Sequence, residues 1–348
     1  MDKLSPSDYQ WPILENLVSL YSYEGERSGK ENIEEMRACL SKLLGDKPQK
    51  VSLNKRIEYV YETSDYTEIR MRFSSEENCD VPCHLLLPKN RKEKKPLPCM
   101  ICLQGHSSGM HISLGRNKYP GDEKFTTNGC RSFALQAVLQ GYAALTLEQR
   151  CLGERKDVRP PENMEYERGC HSPSMVSLLL GRTMIGERVW DVQRAIDLLE
   201  TIEEVDSEKI GLVGTSGGGT TTFFTMCMEP RVKSAICSCY ICSLKYSIGK
   251  IDHCDCNYIP GFLKYFDLGD LAYLMAPRPL VVVAGREDPI FPYPGVQKAY
   301  STIEKIYSDL YASEKVKLVT GDEGHQFYPE LAWPVFNRIS GFKDEKNK

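Results

Sequence analysis

Lys209-Ile-Gly-Leu-Val-Gly-Thr-Ser-Gly-Gly-Gly-Thr-Thr-Thr-Phe-Phe224 runs from an apolar, strand-like segment into a glycine-crowded turn and then into helix-compatible residues. Within it, Gly214-Thr-Ser216-Gly-Gly218 has the spacing G-x-S-x-G. A serine thrown out on a tight strand-to-helix turn has a strained backbone, so the positions on either side must lack a side chain. The helix that follows presents its N-terminus, which favours negative charge nearby. Gly-Ser turns are common in ordinary loops, so Ser216 reads as a nucleophile only if the rest of the chain supplies its partners.

Outward from this stretch, strand-like and helix-like segments alternate. Residues 99–103, 143–147, 210–213, 232–237, 279–284 and 316–319 read as buried strands, and residues 132–140 and 174–201 as helices. Strands separated by helix-length crossovers imply an α/β fold with a mostly parallel central sheet and helices on both faces. Functional groups should gather at the carboxyl ends of those strands. Upstream, residues 57–61, 69–73 and 81–87 alternate with period two, which predicts antiparallel edge strands on the N-terminal side. Residues 1–50 carry Trp11, Ile13, Leu14, Leu17 and Val18, then Ile33, Met36, Leu40 and Leu43, at helical spacing. They read as a helical extension packed on a main domain of residues 51–348. Residues 151–173 and 243–265 interrupt the alternation after strand carboxyl ends and are candidates for a lid or a substrate wall. The basic run 89–95 reads as a solvated turn.

The 348 residues carry 44 Lys and Arg against 48 Asp and Glu, a formal net charge of −4. Nothing in that balance steers the chain toward nucleic acid or an anionic membrane, and a small neutral or mildly charged substrate fits better. The start lacks a basic segment followed by an apolar one, and no run of about 18 apolar residues occurs, so cytoplasmic residence without a membrane span is expected. Fourteen cysteines would make a disulfide framework in an exported protein. Here reduced thiols are expected. Cys237-x-Cys239-x-x-Cys242 and His253-Cys254-Asp-Cys256 lie close enough to raise the idea of zinc. Structural zinc usually shows paired C-x-x-C knuckles, which are missing, so the expectation is no metal and no cofactor.

A serine hydroxyl becomes a useful nucleophile when an imidazole takes its proton, and that imidazole needs a carboxylate to fix its tautomer. Of the six histidines, His325 follows the last strand, in Gly321-Asp-Glu-Gly-His325. The acid should follow the preceding strand, where Arg286-Glu287-Asp288-Pro289-Ile-Phe-Pro292 offers two carboxylates. Asp288 is preferred over Glu287, because the prolines make a rigid turn that can aim a carboxylate inward, and Glu287 and Asp322 read as solvated or ion-paired. The oxyanion of a tetrahedral intermediate needs two converging backbone N–H groups. Gly217, after the nucleophile, supplies one, and His106, in the loop after the first long parallel strand, is expected to supply the other.

The order strand, Gln104-Gly-His106, long helix, Gly-Thr-Ser216-Gly-Gly, strand, Gly-Arg-Glu-Asp288-Pro, strand, Glu-Gly-His325 resembles the α/β-hydrolase superfamily. Gly181-Arg-Thr-Met-Ile-Gly-Glu-Arg-Val-Trp-Asp191 and Tyr265-Phe-Asp-Leu-Gly-Asp-Leu-Ala-Tyr273 are most similar to its acetyl xylan esterase and dienelactone-hydrolase-like branch. The similarity spans roughly residues 50–342. It implies an α/β-hydrolase fold and a serine esterase, with Ser216, His325 and Asp288 as the triad and a small-molecule ester of a short acyl group as substrate. Gln104, where that branch often has histidine, Arg150, in place of part of an Asp-x-Arg-Gly, and Glu187 are candidate substrate-pocket residues. A serine peptidase of the prolyl-oligopeptidase type shares the triad order, and a non-catalytic hydrolase-fold binding module is the alternative from another class. A homo-oligomer stays open.

Overall fold

Nine strands form among the described residues of the computed structural model, which are 4–25, 27, 29–89, 95–157 and 169–343. They are β1 (Arg56–Glu62), β2 (Tyr66–Glu76), β3 (Cys79–Pro88), β4 (Leu97–Leu103), β5 (Ala143–Leu147), β6 (Val205–Thr215), β7 (Val232–Ser238), β8 (Leu280–Gly285) and β9 (Val316–Gly321). They join in one sheet in the order β1-β2-β3-β5-β4-β6-β7-β8-β9. The first three pair antiparallel and β3 meets β5 antiparallel, whereas every pair from β5 to β9 is parallel. The expected α/β-hydrolase fold is the one observed.

The helices are α1 (Pro6–Asn16), α2 (Ile33–Leu44), α3 (Glu123–Thr126), α4 (Phe133–Leu139), α5 (His171–Leu179), α6 (Met184–Leu199), α7 (Gly217–Met228), α8 (Tyr293–Asp309) and α9 (Pro329–Ile339). Side chains alternate across a strand, so each parallel strand serves two cores. Cys99, Ile101 and Leu103 of β4 and Leu280, Val282 and Ala284 of β8 pack with α2, α6, α7 and α8. Met100, Cys102, Val281 and Val283 face the other way, onto α4 and α9. Being buried on both faces is why these strands read as unbroken apolar runs.

Two expectations change. The single helix over 174–201 is two, α5 and α6. Gly181 takes a left-handed conformation (φ 74°) just past α5, and Thr183 then caps α6 by accepting a hydrogen bond from Gly186 N at 3.0 Å. The N-terminal 50 residues also divide. Met36, Leu40 and Leu44 of α2 are buried in the main core, so the core does not stop at residue 50. By contrast α1 buries no residue, and Trp11 and Ile13 stay 44% and 63% exposed. Residues 90–94 of the basic run and 158–168 of the first insertion lie outside the described residues.

At its far end α7 is held by two guanidinium groups, and Arg37 Nη1 donates to Cys227 O at 2.7 Å. Arg278 donates to the carbonyls of Met226, Glu229, Val232, Leu274 and Met275. It thereby takes up carbonyls that the last turn of a helix leaves without partners.

Candidate active site

The strand β6 runs directly into α7, and Ser216 occupies the turn at φ 54° and ψ −123°. Such a conformation costs a non-glycine residue about 1–3 kcal/mol and persists only where the surroundings enforce it. Here they do. Ser216 N donates to Ser238 O at 2.9 Å, and every residue of α7 behind it is buried. A Cβ on Gly218 would lie 2.0 Å from Leu103 O, so the first turn of α7 can touch the end of β4 only because that side chain is missing. The same approach lays the loop after β4 against the serine: a Cβ on Gly105 would fall 3.0 Å from Ser216 Cβ.

After β8 the chain turns through Arg286 and Glu287, which are exposed, to Asp288, which is buried. Asp288 Oδ1 accepts hydrogen bonds from Ile290 N and Phe291 N, each at 3.0 Å. Its Oδ2 lies 2.7 Å from His325 Nδ1, the geometry of an N–H donated to a carboxylate. The ring of Phe291 stacks on that imidazole at 5.7 Å and 17°. Arg131, on the chain leading into α4, donates from Nη2 to His325 O at 3.0 Å. His325 is therefore fixed from three sides. Asp322 pairs instead with Arg286 at the surface, 3.2 Å away.

His106, in the loop after β4, lies against Gly217. A Cβ on Gly217 would lie 3.7 Å from His106 N and 2.8 Å from His106 Nδ1. Ser216, Gly217, His106, Arg131, Phe291 and His325 line a cavity of about 310 Å³. It continues through His106, Asp252, His253 and Cys254 into a second cavity of about 680 Å³, walled by Cys151, Leu152, Gly153, Lys156 and Cys170 among others. Both insertions after strand ends thus supply cleft walls.

The candidate pocket residues lie elsewhere. Gln104 is fully buried; its Nε2 donates to Glu148 Oε1 at 2.8 Å, and its carbonyl accepts from Gln149 Nε2. Arg150 is held by both oxygens of Asp191 at 2.9 Å, with Glu187 at 2.9 Å and Glu76 at 2.7 Å. Arg150 and Glu187 therefore cancel each other's charge behind the cleft wall, and none of the three lines either cavity.

Sequence reasoning passed over the residue that braces the loop after β4. Glu148, just after β5, accepts from Gln104 Nε2 and from Met110 N at 3.0 Å. It so ties together both ends of the loop that carries His106. Burial pushes its carboxyl up to about 7. Its position at a strand carboxyl end was the available signal.

The cysteines sort into two kinds. Cys237, Cys239 and Cys242 are buried, and burial raises Cys239 and Cys242 to about 12, the behaviour of inert apolar thiols. Cys254 and Cys256 do not join them. They meet Cys170 and His106 instead, with one ligating atom of each of the four residues within 4.8 Å of every other.

A family model described as the abhydrolase family matches residues 30–313. The "Putative hydrolase YtaP" of Bacillus subtilis (strain 168) is 24% identical over 295 residues, 84% of this chain and 93% of that protein. Among solved structures, a "putative acetyl xylan esterase" from Bacteroides fragilis NCTC 9343 has a TM-score of 0.73 at 18% identity, covering 99% of this chain and 91% of that one. A glucuronoyl esterase from Solibacter usitatus has a TM-score of 0.63 at 17% identity, covering 93% and 96%. Likeness at these identities bears on the fold. No helix among the described residues is long and apolar enough to cross a membrane.

Proposed function

The chain belongs to the abhydrolase family, and from that premise we propose that it is a serine carboxylic-ester hydrolase which removes short acyl groups, acetyl first among them, from a sugar or small alcohol. The observation that carries the reading is the strained Ser216 at the head of a buried helix, facing the same cavity as the His325–Asp288 pair. Ser216 Oγ attacks the ester carbonyl as the Nε2 face of His325 takes its proton. Asp288 holds the tautomer and stabilises the imidazolium. The N–H groups of Gly217 and His106 receive the oxyanion. Imidazolium then protonates the leaving alcohol, and water, deprotonated by the same imidazole, releases the acyl group.

The acyl preference rests on two supports. The cavity beside Ser216 is small, about 310 Å³, and acetyl xylan esterases are among the proteins whose fold this chain shares. The wider space beyond it would hold the alcohol part.

Labelling by a fluorophosphonate probe tests the mechanism: wild type should label and Ser216→Ala should not. A parallel screen of acetylated sugars, short aryl esters, uronic-acid methyl esters and proline peptides tests the substrate. Turnover of the peptides alone would favour the peptidase reading. A wild type that neither labels nor cleaves any ester would leave a binding module.

A further inference from the structure

We infer that His106, Cys170, Cys254 and Cys256 form a binding site for one tetrahedral zinc ion, set against the back of the oxyanion loop. The four residues come from three separate loops: the one after β4, the end of the 151–173 insertion, and the 243–265 insertion. His106 Nε2 lies 3.2 Å from Cys256 Sγ and 3.7 Å from Cys170 Sγ, and Cys254 Sγ lies 3.4 Å from Cys256 Sγ. A zinc ion with Zn–S of about 2.3 Å and Zn–N of about 2.0 Å needs tetrahedral ligand atoms about 3.5–3.8 Å apart. The observed separations need only small adjustments to meet that. They are far too long for a disulfide, in which sulfurs stand about 2.05 Å apart.

Arg188 gives the site its charge logic. It is one of the largest fully buried side chains, and among the described residues no carboxylate pairs with it. Its donors go to the carbonyl of Arg150 and to the sulfurs of Cys256 at 3.3 Å and Cys170 at 3.4 Å. A buried guanidinium without a carboxylate requires negative charge nearby, and thiolates supply it. Three thiolates and Zn²⁺ sum to −1, which Arg188 offsets. Any thiol protons pass to solvent as the ion binds, with no change of oxidation state.

The site also has a use. With Nε2 on the metal, the ring proton of His106 is confined to Nδ1, the nitrogen that faces Gly217. The ion would fix that tautomer, hold the backbone N–H of His106 beside Ser216, and clamp both insertions to the loop. Zinc here is a positioning element; the inference does not depend on hydrolysis.

The full chain, purified under reducing conditions without chelator, should contain about one zinc per molecule by plasma mass spectrometry. Substitution with Co²⁺ should give thiolate-to-metal charge-transfer bands and the intense visible bands of a tetrahedral centre. Cys170→Ser and Cys254→Ser should each weaken Zn²⁺ at least about 10–100-fold in competition with a chromogenic chelator. Ser216→Ala should keep its zinc while losing fluorophosphonate labelling, so the metal site and the esterase reading can fail separately. Three results would overturn the inference: a wild type that takes up no zinc on reconstitution, unchanged affinity in the Cys170→Ser/Cys254→Ser double variant, or an octahedral cobalt spectrum. If a serine variant fails to fold, the wild-type cobalt spectrum decides.

Discussion

Ser216 is held by the strand before it, the helix after it and the hydrogen bond to Ser238, so its side chain can be removed with little effect on the turn. Ser216→Ala should lower kcat for a short aryl ester by at least about 10⁴-fold, and Asp288→Asn by about 10³–10⁴-fold, while both variants keep the wild-type far-ultraviolet dichroism. Gly217→Ala makes a different point. Its Cβ would fall 2.8 Å from His106 Nδ1, so the imidazole must move and, in the proposed mechanism, the oxyanion donors with it. A fall in kcat of about 10–100-fold with KM nearly unchanged is expected, read from steady-state kinetics. At this scale the sequence was most readable for position: Ser216, Asp288 and His325 each sit in the turn after a strand, and Asp288 and His325 meet at 2.7 Å. It was least readable for Gln104 and Arg150. Both sit at strand ends, yet their side chains turn inward to Glu148 and Asp191, and only the packed structure decides which way a loop residue points.

Among the elements, the loop from β4 and the turn after β5 depend on each other through Glu148. Its carboxyl is raised to about 7 from an unfolded value near 4.5, so it contributes stability that is full below about 4.5 and is lost as pH rises through 7. Glu148→Gln lacks that slope. Urea unfolding at pH 5 and pH 8 should show the variant gaining on wild type at the higher pH by up to about 3 kcal/mol, at about 1.4 kcal/mol for each unit of pKa. Thr183→Ala should cost about 1–2 kcal/mol in the same measurement, from the lost cap of α6 and the lost bond to Leu44 O at 2.8 Å. The α5–α6 break was hidden because Leu178-Leu179-Leu180 carries an apolar pattern up to it; the clue was Gly181 followed two residues later by a capping threonine. The inner strands were legible as unbroken apolar runs because each is buried on both faces.

For the whole molecule, the first helix and the second make opposite predictions. Deleting residues 1–16 removes a helix with no buried residue and should lower the melting temperature by no more than about 4 °C. Deleting 1–44 uncovers the partners of Met36, Leu40 and Leu44 and should yield no cooperative unfolding transition, since several buried side chains at about 2–3 kcal/mol each exceed most of the stability of a domain. The meeting of His106, Cys170, Cys254 and Cys256 belongs to this scale too. No spacing along the chain announces it, because Cys170 and Cys254 are far apart in sequence and are joined only by the closing of the sheet.

Arg278 lies at the opposite end of α7 from Ser216. Twelve residues separate the two ends, which at 1.5 Å each makes a strut about 18 Å long. A rigid strut transmits displacement at one end to the other, and this one has the proposed nucleophile mounted on its tip. Lysine at 278 would keep the positive charge but could not span carbonyls of three separate segments with one planar group. The serine would then lose its angular register while every residue of the cleft stayed unchanged, and the enzyme would be slowed from its back wall.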